Sequence, residues 1–529
     1  MRSKLFSLLK WAVGLFVLAV LGLLAIRAYD AQRGPPLSRW HTYTPHDLTA
    51  KQIKKIEWAE YVKAENALFD EVRAKVTEKL EPEERIPANR YFEGSPIYPG
   101  RFATDWNRSY ILEPEGTPAG GMPAGGMPAG GMPAGAVVLL HGLTDSPYSL
   151  RHIARRYRAQ GWVSVAIRLP AHGTVPAGLT DVEWEDWAEA TRLAVREARR
   201  RIGPSKPLHL VGFSNGGALA MKYALDALGD KTLTRADRIV LISPMIGITA
   251  FARFAGIFGW PAVFPAFANA AWLSVTPEFN PFKYNSFPIN GARQSSLLTR
   301  VLQEQIASYA RDNRLGELPP ILTFQSVVDF TVSTRAVISA LYGNLPANGS
   351  ELVLFDLNRN AMVSPLLRAN VEGALDRLVP APPRRYRTTI ITNASPGTGE
   401  VVERVVEAGA TTERSRMLGL TYPREVYSLS HVAIPFPVSD ALYGMDPGTD
   451  EDFGVNLGTM TTRGEVGVLI LPLDSLVRMA SNPFFPYMRE RIEEGIGGRA
   501  GNTSKAAAGP AGASDAAFRD DAPLARAAK

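Results

Sequence analysis

Hydrophobic positions fall into three patterns along the chain. The first is Leu5 to Ile26, 22 residues interrupted by a single charge at Lys10. At about 1.5 Å per residue this run can cross about 30 Å of hydrocarbon, with Lys10 near one end and able to reach the interface. The second is Thr49 to Leu80, where Ile53, Ile56, Tyr61, Leu68, Val72 and Val76 recur at roughly helical spacing among Lys and Glu. That spacing predicts an amphipathic helix packed on the main domain. The third begins at Ala136. Short apolar runs at Ala136–Leu140, Val163–Arg168, Leu208–Phe213, Arg238–Ser243, Ile321–Ser326, Glu351–Phe355 and Thr388–Thr392 predict strands. Helical stretches at Tyr148–Gln160, Val182–Arg201, Gly216–Leu228 and Thr334–Tyr342 lie between some of them. Such alternation predicts an α/β fold, a mostly parallel sheet covered by helices on both faces.

Four segments break the pattern. Pro118 to Met132 repeats Pro-Ala-Gly-Gly-Met three times, which holds neither helix nor strand and predicts a flexible loop over 117–135. Its position between a strand at Ser109–Leu112 and the one at Ala136 reads as an expanded hairpin connection. Residues 244–318 open with Phe251, Phe254, Phe258, Trp260, Phe264 and Phe267, interrupted by Arg253 and several prolines. Such a segment following a core strand is expected to be an inserted cap rather than a membrane span. Residues 360–420 read as an insertion or an extension of the sheet. The Ala/Gly-rich residues 498–529 read as a disordered tail. The division is then an anchor at 1–28, a linker and helix at 29–90, one α/β domain at 91–497, and the tail.

Composition narrows the chemistry. The chain of 529 residues is 46% hydrophobic and carries 58 Lys+Arg against 52 Asp+Glu, an ordinary globular balance. Its basic clusters, Arg199-Arg200-Arg201 and Arg384-Arg385, lack interleaved aromatics and read as solvated faces, so no nucleic-acid partner is expected. There is no cysteine, which excludes disulfides, Cys-ligated metals and a thiol nucleophile. Neither metal-ligand spacing nor a phosphate-binding loop appears, so no metal or nucleotide cofactor is expected. The seven histidines are His41, His46, His141, His152, His172, His209 and His431.

That scarcity matters because of Gly212-Phe-Ser214-Asn-Gly216, which follows a predicted strand and opens a predicted helix. Glycine two residues either side of a serine lets the chain turn sharply and expose the hydroxyl, and the helix N-terminus supplies positive potential beside it. Ser214 is therefore the candidate nucleophile. His141-Gly142-Leu143-Thr144 follows the Ala136–Leu140 strand, where backbone amides can collect an oxyanion, with Leu143 and Asn215 as the donors. His141 reads as a residue that fixes this loop, and His209 as structural. A base downstream of Ser214 can only be His431, in a strand-like run that ends in a loop; His172 is a weaker rival expected to shape the pocket wall. Asp329, after the Ile321–Ser326 strand, is the leading acid to hold the imidazole, and Asp356 is the runner-up.

Residues Ala136 to about Ile434 resemble the α/β-hydrolases, in particular the carboxylesterase and monoglyceride-lipase-like branch. The resemblance rests on His141-Gly142-Leu143-Thr144, Leu169-Pro-Ala-His-Gly173, Trp184-x-x-Trp187, Gly212-Phe-Ser-Asn-Gly216 and Val328-Asp329. It implies the α/β-hydrolase fold, an eight-stranded type of sheet, a helical cap after the strand ending near Ser243, and a Ser214–His431–Asp329 triad. It departs from the family in one respect: Asp329 and His431 stand 102 residues apart, and no histidine follows the Glu351–Phe355 strand. The expected activity is cleavage of carboxylic esters, apolar acyl esters or glycerolipids, through an acyl-enzyme. An acyltransferase using the same residues and a non-catalytic tethered protein are the alternatives. The anchor predicts a single-pass membrane protein whose bulk lies on the non-cytoplasmic side, periplasmic if bacterial.

Overall fold

Runs such as Ala136-Val-Val-Leu-Leu140 have no polar face, so a sheet built from them has to be covered on both sides. In the computed structural model, which describes residues 34–115, 132–247, 265–329, 331–361, 364–367, 373–458 and 480–497 with scattered positions before 34, ten strands share one sheet. In chain order the strands are β1 (Tyr110–Leu112), β2 (Ala136–Leu140), β3 (Val163–Ile167), β4 (Leu208–Phe213) and β5 (Arg238–Ile242). A separate two-stranded ribbon follows, β6 (Trp272–Ser274) with β7 (Phe287–Pro288). The large sheet resumes with β8 (Ile321–Ser326), β9 (Glu351–Phe355), β10 (Arg387–Asn393), β11 (Glu400–Val406) and β12 (Glu413–Thr421). Its order is β1-β3-β2-β4-β5-β8-β9-β10-β11-β12. The seven strands from β3 to β10 in that order run parallel, and β1, β11 and β12 are antiparallel additions at the two edges.

The helices that cover the sheet are α1 (Trp58–Lys75), α2 (Arg151–Ala159), α3 (Trp184–Ile202), α4 (Asn215–Gly229), α5 (Ile289–Arg311) and α6 (Phe485–Gly497). Alternate strand residues serve the two faces. Val138, Leu140, Leu210 and Leu241 pack with Trp187, Leu193, Leu219 and Leu298 of α3, α4 and α5. Val137, Leu139, Val211 and Ile242 pack with Ile153 and Tyr157 of α2 and with Met488 and Ile492 of α6. Burying such aliphatic side chains contributes about 1.5–3 kcal/mol each, which is why the strands tolerate no charge at these positions.

Several sequence expectations change. β1 pairs antiparallel with β3, not with β2, so the Pro-Ala-Gly-Gly-Met repeat does not close a hairpin; 116–131 of that loop lie outside the described residues. The predicted helix over 49–80 is two helices, Ala50–Ile53 and α1. The break falls where Glu57 caps α1, its N–H donating to Glu60 Oε2 at 3.0 Å. The sheet has ten strands rather than eight: β10, β11 and β12 carry it on beyond β9 within the stretch 360–420, which is thus an extension of the sheet, one of the two readings given to it. Within 244–318, α5 lies in the connection between β5 and β8 and packs on the sheet; the aromatic run 248–264, where the cap is expected, lies outside the described residues, as does the tail at 498–529. Among the described residues no helix is long and apolar enough to cross a membrane, and most of the predicted anchor at 1–28 is not described.

Two buried charge clusters tie distant parts of the chain to this frame. Arg168, after β3, pairs with Asp47 at 2.7 Å and with Glu65 of α1 at 3.5 Å, docking the N-terminal segment. Arg151 of α2 pairs with Asp440 at 2.8 Å and Glu451 at 3.0 Å, holding down the segment that follows His431. Removing one partner of such a pair leaves an uncompensated buried charge, so both segments are fastened rather than laid against the surface.

Candidate active site

β4 ends at Phe213, and the next residue turns the chain into α4 with φ 54° and ψ −114°, a left-handed-side conformation costly for serine. The strain is held on both sides of the turn. Ser214 N–H donates to Ile242 O at 2.9 Å, and Met245 N–H donates to Ser214 O at 2.9 Å. A Cβ on Gly212 would collide with the Gly216 carbonyl, and one on Gly216 with the Leu140 carbonyl, so both flanking positions require glycine. The turn thus lifts Ser214 to the carboxyl end of the parallel strands, at the start of a helix whose first amides face it.

The loop after β2 passes alongside. A Cβ on Gly142 would lie 3.3 Å from Ser214 Cβ. Among the described residues neither the Leu143 nor the Asn215 N–H has a hydrogen-bond acceptor, so two backbone donors are left unspent beside the serine. His141 fixes this loop. Its Nδ1 lies 2.9 Å from Gly142 O, and its Nε2 accepts from Leu169 N–H at 3.0 Å. That pattern assigns the proton to Nδ1, and burial holds the ring well below the usual histidine range, so it is neutral and fully committed.

Ser214, His431 and Asp329 come together. His431 Nε2 stands 2.9 Å from Ser214 Oγ, and its Nδ1 stands 2.8 Å from Asp329 Oδ2. A carboxylate can only accept, so Nδ1 carries the hydrogen and Nε2 is left to receive the serine hydroxyl. Burial alone would raise the Asp329 carboxyl, but His431 and the N–H groups of Val332 and Thr331 outweigh it and hold the group below its ordinary value. Phe213, beside the serine, stacks on the imidazole with ring centroids 5.3 Å apart and planes 27° apart. A hydroxyl, a base and an acid in line can move a proton off the serine and hold the resulting imidazolium.

The runner-up acid does not reach this group. Asp356 accepts from Thr392 Oγ1 at 2.9 Å and lies 3.7 Å from Arg359. His172 is fully buried, its Nδ1 2.9 Å from Pro170 O, and it stacks edge-on against His141 behind the loop. His209 is buried on β4, with Nδ1 3.0 Å from the Tyr157 hydroxyl, the structural role expected of it.

The histidine arrives differently from the sequence expectation. Residues 426–431 form no strand; they are an irregular segment drawn across the carboxyl end of β9. Asn358, fully buried there, is the clamp. Its Nδ2 donates to Pro423 O at 2.6 Å and to Val426 O at 2.8 Å, and its N–H donates to Tyr427 O at 2.7 Å. Its Oδ1 in turn accepts from Asn393 Nδ2 at 3.1 Å. These bonds bring the 102-residue excursion back to the place where a short loop after β9 would have put a histidine. Nothing in the sequence points to Asn358, because a lone asparagine after a strand carries no local mark of such a role.

Among the described residues no group of three or more His, Asp or Glu side chains is placed to hold a metal ion. Residues 131–342 match the family model described as Hydrolase_4, serine aminopeptidase, S33, a span that includes Ser214 and Asp329 but not His431. A thermostable monoacylglycerol lipase of Bacillus sp. (strain H-257) is 29% identical over 88 residues, which cover 17% of this chain and 34% of that protein. The chain thus matches about a third of the length of that curated relative. Among solved structures, one from a description of the metagenome-derived lipolytic enzymes LipS and LipT is 20% identical, covering 51% of this chain and 95% of that one, with a TM-score of 0.35. A soluble variant of monoglyceride lipase from Saccharomyces cerevisiae, in complex with a substrate analogue, is 13% identical, covering 47% and 82%, with a TM-score of 0.34. Over residues 131–342 the chain is thus similar to the serine hydrolases of the α/β-hydrolase fold, and over a shorter stretch to a monoacylglycerol lipase.

Proposed function

We propose that the protein hydrolyses carboxylic esters of apolar acyl groups, glycerolipids among them, with Ser214 as nucleophile, His431 as general base and acid, and Asp329 as the orienting carboxylate. The observation that carries this reading is the unbroken line Ser214 Oγ, His431 Nε2, His431 Nδ1 and Asp329 Oδ2, with contacts of 2.9 and 2.8 Å. Ser214 Oγ attacks the ester carbonyl while Nε2 takes the hydroxyl proton. The Leu143 and Asn215 N–H groups bind the carbonyl oxygen as it becomes an oxyanion. The tetrahedral intermediate collapses, the C–O bond to the alcohol breaks, and the imidazolium returns its proton to the departing alkoxide. Water, deprotonated by Nε2, then attacks the acyl-serine and releases the carboxylic acid. An apolar acyl group is favoured by the aromatic sequence of the cap and by the likeness to a monoacylglycerol lipase.

The test is to treat the full chain with a fluorophosphonate and locate the adduct by peptide mass spectrometry, then assay aryl esters of graded acyl length. A single adduct on Ser214 and turnover that rises with chain length are expected. An adduct elsewhere, or an unlabelled Ser214, overturns the assignment. The 22-residue apolar run at Leu5–Ile26 further supports tethering to a membrane, and its signal-like layout, with Arg2 and Lys4 ahead of the run, favours the non-cytoplasmic side for the hydrolase. Full-length protein is expected in the membrane pellet after alkaline extraction, and its appearance in the supernatant would remove the anchor from this reading.

A further inference from the structure

We infer that Gln325 is a positioning residue for Asp329, setting how the carboxylate meets His431; this rests on the roles proposed above for Ser214, His431 and Asp329. Gln325 lies on β8, four positions before Asp329, and is fully buried. Its Nε2 is 3.1 Å from Asp329 Oδ2 and 3.1 Å from Thr334 Oγ1, with a longer approach of 3.4 Å to Ser326 O. The Thr334 hydroxyl donates its own hydrogen to Ser326 O at 2.9 Å, so towards the amide it can only accept. One amide hydrogen therefore goes to the threonine and the other to the carboxylate. The orientation is fixed by this arrangement, because the reversed amide would turn Oε1 against the Asp329 oxygen.

Four donors then surround Asp329. Oδ1 receives the N–H groups of Thr331 at 2.9 Å and Val332 at 3.0 Å, while Oδ2 receives Gln325 and His431. Gln325 shares the oxygen that holds the imidazole, which the backbone donors do not. Among the described residues its Oε1 is buried with no partner. A side chain kept only to fill β8 would carry no such orphan, since leucine or methionine fills the same space without one. The amide is retained although one of its ends is unsatisfied, and its other end is spent on the acid.

The donor holds the carboxylate plane so that Oδ2 points at Nδ1, and it takes up part of the negative charge. Among the described residues His431 is the titratable side chain that interacts with Asp329. Without Gln325 the charge falls more heavily on His431, so the imidazolium is held more tightly and releases its proton at higher pH. Gln325→Met, which keeps length and loses both donors, is expected to lower kcat by about 10- to 100-fold, the range of a lost hydrogen bond to a charged group. KM stays unchanged, and the acid limb of the kcat/KM profile moves to higher pH. Gln325→Glu places a second carboxylate against the first and moves that limb further the same way. A readout free of turnover is the low-field imidazole proton of His431 in the proton NMR spectrum of the full chain, which shifts or vanishes in the methionine variant. If the limb and that proton are both unmoved, the inference is overturned, whatever happens to Tm. If the proton moves in a wild-type chain that proves to hydrolyse no ester, the placement of Asp329 by Gln325 stands and the hydrolase reading falls.

Discussion

His431→Ala is expected to lower kcat for ester hydrolysis by about 10⁴- to 10⁶-fold, the range typical when a serine hydrolase loses its base, with KM little changed. The loss is this large because nothing nearby can replace the imidazole. His141 is on the neighbouring loop, but one of its nitrogens meets Gly142 O and the other receives Leu169 N–H, so it has no free site for a serine proton. His172 is fully buried behind it and His209 sits within the sheet against Tyr157. KM is spared because the ring contacts the nucleophile and the acid, whereas binding belongs to the groups around the acyl chain. The residual rate is expected to come from the Leu143 and Asn215 amides, proposed above as the oxyanion donors. Steady-state kinetics of the purified variant decide the matter. A variant retaining more than about one hundredth of the wild-type kcat would place the base on another residue.

That a single histidine could be named from sequence reflects where local chemistry is decisive. The turn at Ser214 is written in five consecutive residues, because sterics at Gly212 and Gly216 act over a few ångströms within one strand–helix junction. The parallel strands are legible for a similar reason: burial on both faces removes polar residues from β2, β3 and β4 altogether or nearly so. Partnership was not legible. β1 is three half-buried residues whose pattern does not say that they pair with β3 rather than with β2. β12 is an edge strand with most of its residues exposed, and Glu413, Arg414 and Arg416 form ion pairs with β11 and the turn beside it instead of an apolar face. Such a strand has no hydrophobic signature to find.

The same limit applies within the site. Asp329 could be placed because it follows a strand end, a position defined by its own neighbours in sequence. The geometry of His431 depends on Asn358 and Asn393, 73 and 38 residues upstream, whose side chains acquire meaning only when β9 and β10 lie side by side. Gln325 is similar: on a buried strand, glutamine reads as an anomaly, and only the position of Thr334 and Asp329 turns it into a donor. Buried polar residues in otherwise apolar runs are thus the part of the sequence most informative about the site and least decodable without the fold.

Acidification is expected to unfold the protein between about pH 6.5 and pH 4, in a window set by histidines that take no part in the proposed chemistry. Burial pushes His41, His152 and His172 down to about 4 and His209 down to about 3, and it holds His141 well below its ordinary value. Each is neutral in the folded chain and protonates in the unfolded chain once the pH falls below about 6.5. The unfolded state then binds more protons, so stability is fully present above that pH and declines as pH falls towards the folded values. Each group contributes up to about 1.4 kcal/mol per pH unit. Glu65, Asp145, Asp186 and Glu278 oppose the trend, since burial raises them and the folded chain takes up their protons more readily. They act nearer the carboxylate range, so the upper part of the window belongs to the histidines. His209→Gln isolates the effect, because glutamine keeps an acceptor for the Tyr157 hydroxyl and cannot titrate. Urea midpoints measured from pH 7.5 to pH 4.5 should fall steadily in the wild type and less steeply in the variant, by close to one proton's worth of slope. Identical slopes in the two proteins would mean that His209 is protonated in the folded chain or shielded in the unfolded one, and the neutral buried histidines would lose their place as the source of acid sensitivity.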